Sequence, residues 1–63
     1  MEFTIIESRP ALVGFVILCH LPENPVTPWA TWRAQTADGQ GRESGHYFYE
    51  GEEALAREDF ETR

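Results

Sequence analysis

The sequence predicts an α+β fold: a small antiparallel three- to four-stranded sheet followed by one C-terminal helix packed on one face, in β-β-β-β-α order. Two observations carry this. β-prone, alternating or fully apolar runs occupy most of the first fifty positions, broken by proline and glycine. The one good helix candidate lies beyond them, at residues 51–61. A chain of 63 residues makes one domain, residues 1–63, and a domain of this size buries only ~60% of its unfolded surface.

The first run, Glu2-Phe3-Thr4-Ile5-Ile6-Glu7, puts Phe3 and Ile5 on one side and Thr4 and Ile6 on the other. Pro10 ends it, because proline cannot donate to a ladder, and marks a turn or an edge position. Ala11 to His20 is the most hydrophobic stretch. Val16, Leu18 and His20 share one face and Ile17, Cys19 and Leu21 the other, which describes a strand covered on both sides. Three prolines between Leu21 and Pro28 exclude helix or central strand there and predict a stiff connection.

Residues Trp29 to Tyr49 hold five of the eight aromatic side chains and read as a hairpin. Its first strand places Ala30, Trp32, Ala34 and Thr36 on one face and Trp29, Thr31, Arg33 and Gln35 on the other. The alanines beside Trp32 leave room for a helix on their side. In the second strand His46 and Phe48 face one way, Tyr47 and Tyr49 the other. Between the strands, Gln40 to Gly45 is polar and glycine-rich and is expected to be a mobile tip.

The helix opens with acids, as the helix dipole favours. Leu55, Ala56 and Phe60 span an arc of roughly 140° that should face the sheet. Asp59 projects into the same arc. A carboxylate there needs a partner, and Arg33, His46 or an indole N–H is expected to supply it, making Asp59 a structural tie between helix and hairpin.

Charge and composition narrow the function. Eleven acids face five arginines and no lysine, for a net charge of −6. Seven of the acids fall in residues 43–63. Such a field repels nucleic-acid phosphates and attracts basic surfaces. The lone Cys19 excludes an internal disulfide, and the longest apolar run, nine residues, is far short of the ~20 of a transmembrane helix. With no basic leader at Met1, a cytoplasmic location is expected.

No catalytic, cofactor-binding or metal residues are assigned. Cys19 and His20 are adjacent on a strand and point to opposite faces. Cys19 lies among apolar neighbours that make a thiol inert, and Asp38-Gly39-Gln40-Gly41 lacks the helix and lysine of a phosphate loop. The expected function is therefore a non-enzymatic protein-protein interaction module. Trp29, Trp32, Arg33, Tyr47 and Tyr49 are its candidate core and interface, and one short helix leaves a second sheet face that a second copy of the chain would cover, so a homodimer is expected. Glu50, Glu52, Glu53, Glu58 and Glu61 form the candidate acidic surface for a basic protein partner. Small acidic phage and plasmid inhibitors, some of them nucleic-acid mimics, offer an analogy of size and charge. The alternative is a single-stranded nucleic-acid binder stacking bases on Trp29, Tyr47 and Tyr49 beside Arg33.

Overall fold

The computed structural model describes residues 2–63. Four strands form one antiparallel sheet in chain order: β1 (Thr4–Pro10), β2 (Phe15–His20), β3 (Trp29–Ala34) and β4 (Glu43–Phe48). A 3-10 turn (Glu50–Glu52) leads into α1 (Glu53–Thr62), which packs across β2, β3 and β4. Among the described residues, no helix is long and apolar enough to cross a membrane.

The central strand β2 is shorter than its hydrophobicity suggests. Ala11–Gly14 forms the β1–β2 turn instead, closed by the Ala11 N–H donating to the Gly14 carbonyl at 2.9 Å. Gly14 takes a positive φ of 73° there, and its Cα lies so close to β3 that a Cβ would overlap the Ala34 carbonyl oxygen. Leu12 and Val13, expected in the strand, stand at the exposed tip of this turn.

The rest of β2 is covered on both sides. Val16 and Leu18 pack under Ala56 and Phe60, flanked by Ile6, Trp29 and Phe48. Ile17 and Cys19, both 0% exposed, pack with Leu21, Ala30, Trp32 and Ala34, with Phe3 and Ile5 against them. Two sequence expectations change here. The helix covers the Trp29–Thr31 face of β3, not the alanine face beside Trp32. Leu55 is 51% exposed, so the buried helical stripe is Ala56 and Phe60. The side of Ala30 and Ala34 is taken instead by Trp32, with Phe3 and Ile5 packed against the same cluster.

Part of the second face is covered by the chain's own loop. Gly39 is buried against Phe3 and Ile17. The loop is pinned by the Gln35 N–H on the Gln40 carbonyl at 2.7 Å and by the Gln40 N–H on the Thr36 hydroxyl at 3.0 Å. The tip expected at residues 40–45 is shorter than the sequence suggests, because β4 already begins at Glu43 and only residues 40–42 of that stretch belong to the loop.

Both edge strands carry a bulge. Ile6 is the extra residue in β1, and Ser44 and Gly45 together oppose Trp32 in β4. Bulged edges resist pairing with other chains.

Candidate protein-binding surface

The geometry is set by where the arginines go. Arg9, on β1, donates from Nε and Nη2 to the Phe60 carbonyl at 3.1 and 2.8 Å, satisfying an acceptor in the last turn of α1. Arg63 donates to the Thr31 carbonyl and hydroxyl, both at 3.1 Å, and to the Ser44 carbonyl at 2.6 Å. Arg57 pairs with Glu53 at 3.0 Å and reaches Glu7 at 3.8 Å. Arg42 lies over the Phe3 ring, 4.2 Å from its centroid. Of the five arginines, Arg33 alone makes no side-chain hydrogen bond, ion pair or ring contact with another described residue.

The acids divide accordingly. Glu53 is paired with Arg57, and Glu52 accepts the Tyr49 N–H at 2.9 Å, which starts the 3-10 turn. Glu50, Glu58 and Glu61 are exposed and have no basic partner among the described residues. On α1, Glu58 and Glu61 sit one turn apart on the outward face, with Leu55 three residues before Glu58. The outward face of α1 is therefore a carboxylate surface with an apolar side chain beside it.

Asp59 faces inward from the same helix. Its Oδ2 accepts from the Thr31 hydroxyl at 2.5 Å and from His46 Nδ1 at 2.9 Å, joining α1 to β3 and β4. Of the partners the sequence offered, His46 is used; Arg33 and the indoles are not. Thr31 was missed, although a threonine on the helix-facing side of a buried strand is a donor that needs an acceptor. Burial pushes the Asp59 carboxyl up, but the hydrogen bonds from Thr31 and His46, with the charges of His46 and Arg63, hold it below its ordinary value.

The aromatic side chains do not form one surface. Trp29 is on the helix side, 4.8 Å from the His20 ring, with its indole N–H on the Glu50 carbonyl at 3.1 Å. Trp32 is on the opposite side and only 5% exposed, with Tyr47 edge-on at 5.7 Å. Tyr49 lies past β4 and is exposed. Arg33 pairs with Val16 and so shares the helix side. The stacking platform of Trp29, Tyr47, Tyr49 and Arg33 is thus split between two faces. The reason is alternation: Trp29 pairs with Phe48, while Tyr47 pairs with Ala30 on the other side.

Cys19 and His46 also lie on opposite faces, and among the described residues no three His, Cys, Asp or Glu side chains gather as metal ligands. Burial pushes the Cys19 thiol up to about 11, against the opposing pull of Arg42. No protein-family model matches this chain, and neither does any curated protein or solved structure.

Proposed function

We propose that this chain is a non-enzymatic binding module that engages a protein partner with a basic surface through the outward face of α1 and the turn before it. Glu50, Glu58 and Glu61 carry the charge, and Leu55 supplies apolar contact beside them. The observation behind this reading is the one-sided use of charge. Arg9, Arg42, Arg57 and Arg63 act on the chain's own carbonyls, rings and carboxylates, leaving the three outward glutamates uncompensated. Uncompensated surface charge raises association rate and steers orientation, and both effects fall with salt. A carboxylate surface of this kind competes with nucleic-acid phosphates for a basic site, which is the chemistry of an inhibitor that acts by mimicry.

Affinity capture from a source-cell lysate, washed at low and then high salt, tests this. A specific basic protein eluting with salt is expected, and Glu58→Lys with Glu61→Lys should abolish its capture without lowering the melting temperature. Capture that survives both the salt wash and the charge reversal would rule out the acidic surface.

A further inference from the structure

The second face of the sheet holds a cleft of about 530 Å³ that α1 does not touch. That volume falls within the roughly 300–1,000 Å³ of small-molecule sites. Phe3 and Trp32 form its floor, Tyr47 its β4 wall, and Asp38 to Arg42 its rim. Three features give it chemical character.

The first is Arg42. Its guanidinium lies 4.2 Å from the Phe3 centroid and 5.4 Å from that of Trp32, and Nη1 donates to the Gly39 carbonyl at 3.0 Å. Held on the rings, it is a preoriented fork whose Nε and Nη2 hydrogens have no acceptor among the described residues. No described carboxylate pairs with it. The second is the Trp32 indole. Its N–H lies over Gly45 and has no acceptor among the described residues. Among the described residues no buried polar side-chain atom lacks a partner, so this N–H is reached by solvent. The third is Asp38, the one carboxylate on the rim, which accepts the Thr36 hydroxyl.

The cleft therefore presents the free edge of the Arg42 guanidinium beside aromatic side chains, with the Trp32 indole N–H at Gly45 as a nearby reporter. We infer that it binds a carboxylate carried next to a planar ring, either a small aromatic acid or the C-terminal aromatic residue of a peptide. The carboxylate takes the free edge of Arg42, and the ring packs on Tyr47, which is 48% exposed. A cationic ligand does not fit, because Arg42 already occupies the Phe3 face. A nucleic-acid strand does not fit either, since one guanidinium stands against a net charge of −6. This site is independent of the acidic surface of α1.

Amide and indole N–H resonances of the full chain, followed by NMR during titration, provide the test. The Trp29 indole N–H, bonded to the Glu50 carbonyl, is an internal control. Phenylacetate and N-acetylphenylalanine should shift the Trp32 indole resonance with a dissociation constant on the order of millimolar, as fragment-sized ligands do, and leave Trp29 unmoved. The tighter of the two distinguishes a free aromatic acid from a peptide C-terminus. N-acetylphenylalaninamide, which lacks the carboxylate, should bind at least about tenfold more weakly. Arg42→Gln should abolish binding by the acids, and Asp38→Asn should strengthen it. Should Arg42→Gln fail to fold, the comparison of acid with amide on the native chain decides. Equal binding of acid and amide, equal shifts at both indoles, or no shift with either acid would overturn the inference.

Discussion

Arg63 Nη2 donates to the Ser44 carbonyl at 2.6 Å, so a side chain just past α1 closes the bulge in edge strand β4. The bulge exists because Trp32 opposes two residues, Ser44 and Gly45, and Ser44 takes a φ of 56° there. Bulging disrupts the ladder locally and leaves carbonyls in need of donors. Arg63 supplies them to Ser44 and Thr31 together.

Arg63→Ala should therefore cost about 1–3 kcal/mol, the range for stranding hydrogen-bond acceptors of this kind. In a domain of this size that lowers the melting temperature by roughly 4–8 °C per kcal/mol. Arg63→Lys should cost nearly as much, because an ammonium cannot span both carbonyls as a planar fork does. Urea denaturation of the three proteins checks this; a lysine variant as stable as the native chain would show that charge alone matters.

The Asp59 carboxyl makes stability pH-dependent with a definite sign. Its pKa is held below the ordinary 3.8 in the folded chain, despite burial that opposes this, by Thr31 and His46 and by the charge of Arg63. Between the folded value and 3.8 the unfolded chain binds more protons, so stability rises with pH across that window. The contribution is complete above 3.8 and is lost as pH falls through the folded value. Melting curves from about pH 2 to about pH 6 should show a steeper acid loss for the native chain than for Asp59→Asn. Parallel curves would mean the carboxylate is not engaged in solution.

Two glycines should respond oppositely to alanine. At Gly14 a Cβ would meet the Ala34 carbonyl oxygen, a backbone atom that cannot move aside, at a φ of 73°. Gly14→Ala should destabilise by about 1–3 kcal/mol. At Gly51 nothing lies within 4 Å of an added Cβ and φ is not in the left-handed region. Gly51→Ala should stabilise by about 0.4–1 kcal/mol by restricting the unfolded chain. Thermal melts of both variants give the comparison directly.

Cys19 should be inert in the folded chain. It is 0% exposed, and with its thiol pushed up to about 11, only on the order of one molecule in a thousand is thiolate at about pH 8. Reaction with an aromatic disulfide reagent should follow global unfolding and become rapid in denaturant. Fast labelling under native conditions would show that β2 opens locally.

The partition of side chains between faces was legible from alternation alone. Phe3 and Ile5 go with Ile17 and Cys19, and Val16 and Leu18 go to the other side, because a two-residue period is a property of the extended backbone. Alternation also put Trp29 and Tyr47 on strands, but it does not relate the faces of two strands until their register is known, and that register separates them. The carboxylate of Asp59 was legible as a buried group in need of a partner; Thr31 as that partner was not, since it is 28 residues away in sequence.

Strand order, the position of α1 after the sheet and the acidic character of its outward face follow from the sequence by itself, since they rest on local periodicity and on charge. Only the tertiary structure decided which face α1 covers, that residues 38–42 fold over the other, and that β4 begins as early as Glu43. Both faces of β2 are equally apolar, so local pattern cannot choose between them. The choice falls to shape: Trp32 and Phe3 fill one side and receive the small Gly39, while Thr31 and His46 offer Asp59 its hydrogen bonds on the other.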